Sequence, residues 1–243
     1  MKIIIASVIF AVAAIIAFLI ASSAVKYRTR SGETIVVTGL AEKDFISDLI
    51  VWNGSYSRKS LDLKEAYAAL KRDERAIGAY LRSKGISEGE MIFSSVEINK
   101  EFSARTDANG RQTGQEFTGY NLTQVVKVES RNVDKVEKIS REVTELIESG
   151  IEFNSSPPAY YYSKLADVKI DLLGKASSDA KARAETIAKN AGNSLRSLKK
   201  ANMGVFQITG KNSNEDYSYG GAFNTSQKNK TGSITIKMEF AID

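Results

Sequence analysis

Cysteine and histidine are both absent from this 243-residue chain. Without thiols it forms no disulfide and offers no thiolate nucleophile. Without imidazole it lacks His-based acid/base groups and the usual zinc ligands. Carboxylates at calcium-loop spacing are missing as well, so neither a metal nor a cofactor is expected. No G-x-G-x-x-G or P-loop occurs. The Ser/Lys hydrolase spacing S-x-x-K arises at Ser178–Lys181 and Ser197–Lys200, but also at Ser23–Lys26, at the end of an apolar span. That third match shows how cheaply the pattern forms in a Ser- and Lys-rich chain, and the S-D-N element of such enzymes is absent. Glu97/Glu101 and Glu142/Glu145 are paired carboxylates on faces expected to be polar and solvated. The chain is not expected to be an enzyme.

A surplus of positive charge is also missing from most of the chain. The net charge is +5, but Lys2, Lys26, Arg28 and Arg30 all precede the first acid, Glu33. The remainder of the chain is nearly neutral. A nucleic-acid-binding head should carry a basic stripe and a net positive charge, so that partner is not expected.

One stretch lacks charge altogether. Ile3–Val25 runs for 23 residues without an ionisable side chain. At 1.5 Å per residue it reaches roughly 35 Å, enough to cross a bilayer core of about 30 Å. Ser22 and Ala24 offer the small residues of a signal-peptide cleavage site. The apolar run from Ile3 to Ile20, broken only by Ser7, exceeds the usual signal core and favours an uncleaved anchor. The expected organisation is therefore an N-terminal transmembrane anchor with its basic flank (residues 1–30) and an α+β head (residues 31–243), with residues 3–25 in the lipid bilayer. Lys26, Arg28 and Arg30 outnumber the charges before the span by one. Read alone, the positive-inside rule places the head in the cytoplasm on that margin, and the same cluster suits lipid headgroups.

Within the head, Glu33–Leu40 alternates as a short strand. Asp44–Ser57 reads as a long one, rich in Phe45, Ile46, Leu49, Val51, Trp52 and Tyr56. Ser60 is positioned to cap a helix with its apolar stripe on Leu63, Ala66, Tyr67, Leu70, Ile77, Tyr80 and Leu81, ended by Gly85. Met91–Ala104 and Phe117–Ser130 are strands around an Asn109-Gly110 hairpin tip. Asn132 caps a second helix, with Val133, Val136, Ile139, Val143, Leu146 and Ile147 on one face and Gly150 at its end. Ile151–Ser163 is extended and belongs at an edge, because Pro157-Pro158 interrupts it. This series is β-α-β-β-α-β, two βαβ halves joined by a hairpin, with both helices on one face of an antiparallel sheet.

Lys164–Gly192 is the most regular stretch. Ala176, Ala180, Ala184 and Ala188 form an i, i+4 ladder beside Leu165, Val168, Leu172, Leu173, Ile187 and Ala191. A row of methyl groups lets a helix backbone lie close to a flat sheet, so this helix is expected to pack across the sheet of a single domain. Strands Leu198–Thr209 and Gly232–Ile242 extend the unit. Between them Gly210–Lys230 is polar and rich in Gly and Asn, with Tyr217, Tyr219 and Phe223 interspersed. It is either a mobile loop or an ordered contact surface. Those three aromatics, with Tyr160 and Tyr162 of the Tyr160–Tyr162 run, are the candidate interface residues.

The passage Gly119–Ile151, followed by the helix AxxxAxARAExIAxxAG at Ala176–Gly192, resembles the SIMPL-domain family. The resemblance covers roughly residues 33–243. It implies an α+β fold, a bacterial envelope location with the head outside the cytoplasm, and self-assembly into large rings, with links to envelope and oxidative stress. It transfers no catalytic residue. The resulting expectation is an inner-membrane, self-assembling protein with its head in the periplasm and copies of itself as partners. The alternatives are a cleaved periplasmic form and a binding module for a small hydrophobic or stress-related ligand.

Overall fold

The computed structural model describes residues 14–22, 33–108, 110–216 and 218–243. Residues 14–22 form a helix, α1, with Phe18, Leu19 and Ile20 all more than half exposed. Most of the expected span at residues 3–25 lies outside the described residues. Among the described residues no helix is long and apolar enough to cross a membrane.

The head is α+β with two antiparallel sheets. It differs from the single sheet expected from the sequence. The first sheet takes strands β2 (Leu49–Ser60), β3 (Met91–Phe93), β4 (Glu97–Thr106), β5 (Gln112–Ser130), β6 (Phe153–Ser155) and β7 (Ala159–Tyr161). Their order is β3-β5-β2-β6, with β4 also on β5 and β7 also on β2. That is the order two interleaved βαβ halves require. Helices α2 (Leu63–Ser83) and α3 (Val133–Glu142) cover it and share one core with Trp52, Leu70, Ile77, Leu122, Val126 and Val136, all fully buried. Asp62, not Ser60, caps α2 by accepting from Glu65 N at 2.9 Å. Ser60 Oγ instead bonds Asp62 N and Glu65. Asn132 caps α3 as its position predicted. Gly150 (φ 74°) ends the 3₁₀ turn Val143–Ser149 that continues α3, in a left-handed conformation that disfavours a side chain.

The second sheet is built from the chain's two ends. β1 (Thr34–Ile46) pairs with β10 (Asn229–Ile242) along its full length, from Thr34 opposite Ala241 to Ile46 opposite Asn229. β8 (Leu195–Met203) and β9 (Gln207–Gly210) pair with the other side of β10. The long strand expected at Asp44–Ser57 is therefore broken between the sheets. Ser47 N donates to Lys228 O (2.9 Å) and Asp48 N to Tyr161 O (3.0 Å), so the ladder is left at these two residues. The strand expected over Met91–Ala104 is likewise two, β3 and β4.

Helix α4 (Leu165–Asn190) lies across this second sheet, not the first. Val168, Leu172, Ala176, Ala180, Ala184 and Ala188 face inward, as the ladder predicted, whereas Ile187 is half exposed and Ala191 exposed at the helix end. The strand offers Gly39 at the crossing. A Cβ placed there would stand 2.2 Å from Ala176 O and 2.8 Å from Ala180 Cβ. Backbone meets backbone with no side chain between. Asp171 and Asp179 fasten the contact from the helix. Lys43 Nζ reaches Asp171 Oδ2 at 2.8 Å, and Leu40 N donates to Asp179 Oδ2 at 2.9 Å. The Leu40 N–H holds the Asp179 carboxyl below its usual range.

Overpacking this contact should be costly. Ala184→Leu is expected to lower stability by about 1–3 kcal/mol, and Gly39→Ala to do so by steric conflict with helix backbone. Thermal unfolding of the two variants checks this. Wild-type midpoints in both would contradict the close approach.

Candidate functional site

Strand β9 carries a polar residue where the sheet is buried. Gln207 is 8% exposed. A buried amide must bond or lose stability, and its partners all lie in the following loop or at its entry. Its Oε1 accepts from Ala222 N (2.6 Å) and Ser218 N (3.3 Å), and its Nε2 donates to Ser218 O (2.8 Å). The loop backbone then runs beside β9. Ile208 N donates to Ala222 O (2.7 Å) and Asn224 N to Ile208 O (2.9 Å), placing Phe223 next to Ile208.

A second anchor rises from β10. Lys230 is 2% exposed and donates to the Asn224 carbonyl. The Asn224 amide donates to Glu215, whose other oxygen accepts from Gly210 N at 3.2 Å. Burial pushes the Lys230 ammonium down to about 8. Lys211 closes the loop onto β1 through Asp44 (2.8 Å).

The same segment reaches the other sheet. Tyr160 N donates to Thr225 O at 2.7 Å, covering the β7 edge that Pro157-Pro158 predicted. Lys228 pairs with Asp134 and with Glu137 (3.5 Å) on α3. The Asp134 carboxylate holds the Lys228 ammonium above its usual range. Of the two readings of this stretch, the free loop gives way to a strap that is fastened to both sheets.

Among exposed polar side chains the strap displays two large aromatic ones. Tyr219 is fully exposed and Phe223 is 55% exposed. Tyr219 borders a depression of about 410 Å³ with Leu40, Val205, Gln207, Ile234 and Thr235, none of them charged. The other expected interface residues go elsewhere. Tyr160 is buried in the first core, and Tyr162 packs on Phe45 (4.9 Å) in the second, so the tyrosine run ties the cores together rather than facing out. Tyr217 lies outside the described residues. Leu40 and Val205 carry no signal in the sequence, since each sits alone in a strand or turn. Gln207 has one, an amide within the apolar run Val205–Ile208.

Lys230-Thr231-Gly232 spells a K-T-G triplet, an element of the Ser/Lys hydrolases. Its amine is spent on the strap, however, and Ser178 Oγ donates within its own helix to Gly174 O (3.0 Å). Ser178 and Lys230 are thus each engaged elsewhere. Among the described residues no group of three acids, histidines or cysteines is placed to hold a metal.

The two anchors of the strap can be tested separately. Gln207→Leu strands its buried partners, and the expected loss is about 1–3 kcal/mol with faster proteolytic cleavage at residues 211–228. Urea unfolding and limited proteolysis read both, and unchanged values would show the amide to be dispensable. Lys230 sets a pH dependence. The folded protein holds this proton less tightly than the unfolded chain, where the lysine titrates near 10.5, so its folded state gains stability as pH climbs from about 8 to 10.5. Relative to Lys230→Met, wild type should gain over that window; a flat difference would mean the ammonium is not buried.

Residues 35–240 match a family model described as "SIMPL: Protein of unknown function (DUF541)". No curated protein matches the chain.

Proposed function

Because this chain belongs to the SIMPL (DUF541) family over residues 35–240, we propose that it is a membrane-anchored, self-assembling structural protein of the bacterial envelope. Residues 3–25 hold it in the inner membrane, the head stands in the periplasm, and copies associate through the head into a ring. It works through contacts rather than catalysis, and bears on envelope or oxidative stress. Family membership supports the setting, and the uncharged 23-residue N-terminal run supports the anchor.

The observation that carries the assembly reading is the strap. Its backbone is tied inward through Gln207 and Lys230, while a fully exposed tyrosine and a half-exposed phenylalanine are displayed, Tyr219 beside an uncharged depression. Fixed aromatics lose little conformational entropy on association, and they are the residue types that anchor interfaces. The near-neutral head does not repel its own copies. Common anchorage aligns the heads and raises their effective concentration, which favours closed rotational symmetry.

A second reading rests on the same depression. At about 410 Å³ it falls within the range of small-molecule sites, and a small apolar ligand under Tyr219 is the alternative. Light scattering and intact mass on full-length protein in detergent separate the two. The assembly reading expects an oligomer of one size whose chain retains residues 1–25. A monodisperse monomer across the micromolar range would refute it and leave the ligand reading.

A further inference from the structure

The strap meets the first sheet over a small polar hollow. The strap's two ends and the start of β10 supply Asn212, Gln227 and Asn229, β7 supplies Tyr160, and α3 supplies Glu137, around a volume of about 320 Å³. Tyr160 is 8% exposed, and its hydroxyl has no hydrogen-bond partner among the described residues. A tyrosine this buried usually has one. Glu137 and Lys228, the charges that act on it most, both wall the hollow. The ring therefore sits in the core and the hydroxyl faces the opening. Burial, with Glu137 adding to it, raises the pKa above the ordinary tyrosine value, so the group stays a hydroxyl that both donates and accepts.

The side chains of Asn212, Gln227 and Asn229 also make no hydrogen bond among the described residues. Two of them are placed by the backbone around them. Asn212 is left-handed (φ 58°) in a turn closed by Ser213 N donating to Gly210 O at 3.1 Å. Gln227 lies over Gly210, where a Cβ would collide with its amide. The charges around the hollow cancel. Lys211 pairs with Asp44 (2.8 Å), Lys228 with Asp134 and Glu137 (3.5 Å), and Glu137 also with Arg141 (3.1 Å). No net charge is left to hold an ion. A hydrocarbon would strand the amides, and no ring face is offered to stack a nucleobase. Groups that each donate and accept are matched by a ligand whose own groups do both, as hydroxyls do.

We infer that this hollow binds a neutral sugar, whose hydroxyls take the Tyr160 hydroxyl and the amides of Asn212, Gln227 and Asn229 as partners. The volume lies at the lower end for small-molecule sites, in keeping with a small saccharide. A sugar held there bridges the strap to β7 and α3, beside the bond from Tyr160 N to Thr225 O. The site shares no lining residue with the depression beside Tyr219 and does not depend on assembly.

Saturation-transfer NMR on the full-length protein tests this, in a detergent without a sugar headgroup. The probes are glucose, N-acetylglucosamine and cellobiose at millimolar concentration, with glucuronate as the charged control. At least one neutral sugar should receive transfer, and glucuronate should bind more weakly. Tyr160→Phe removes a hydroxyl that has no protein partner, so it should weaken binding by roughly tenfold and leave the thermal midpoint unchanged. Gln227→Ala, at an exposed position, should weaken binding by roughly 3–10-fold. No transfer to any neutral sugar, tighter binding of glucuronate, or unaltered affinity in Tyr160→Phe overturns the inference. If Tyr160→Phe also lowers the midpoint, Gln227→Ala decides, and unaltered affinity there overturns it. Light scattering keeps the two readings apart. A monomer that binds sugar refutes assembly alone, and an oligomer that binds none refutes this site alone.

Discussion

Everything in the second half of this head depends on a helix lying against a strand with no side chain between them. Gly39 removes the Cβ from β1, and the alanine ladder removes bulk from α4, so the two backbones close to within 2.2 Å of where a Cβ would be. Such proximity suits dispersion at high packing density. It also brings Asp179 within reach of the Leu40 N–H. That bond satisfies one of the outward-facing donors of β1, which among the described residues has no strand on that side. The helix thus packs the sheet and blunts its edge.

Two further edges are managed by other means. β7 gives its Tyr160 N–H to the strap, and β8 carries Arg196, Lys199 and Lys200. Lysine and arginine on an exposed edge oppose uncontrolled pairing with other chains. Both devices disfavour uncontrolled pairing at these two edges. The strap matters for this reason: it covers one edge, joins the two cores through Thr225 and Lys228, and presents Tyr219 and Phe223.

The sequence made local matters legible. Periodicity located the helix faces, Asn132 its cap, Gly150 a helix end, and Pro157-Pro158 an edge. Sequence order of elements disclosed the interleaved βαβ halves. It did not disclose that β1 leaves the first sheet to pair with β10, nearly two hundred residues later, because pairing partners leave no mark in periodicity. The interruption at Ser47-Asp48 has no proline or glycine, and is made by distant carbonyls of Lys228 and Tyr161. The tyrosine run left both core and interface open for a related reason. Aromatics favour cores and interfaces alike, and only the surroundings assign Tyr160 and Tyr162 to cores and Tyr219 to the surface. The strap was obscured by its composition, since Gly, Asn and Ser look like a free loop until Gln207 and Lys230 are seen to hold it.

That the strap is a built element rather than a free connection is the central claim, and amide hydrogen exchange on the full-length protein tests it most directly. The Ser218, Ala222 and Asn224 amides are bonded to Gln207 and Ile208. They should exchange as slowly as amides of the β9–β10 ladder and speed up together in Gln207→Leu. Exchange of these three amides at the rate of an unstructured chain in the wild-type protein would contradict the account.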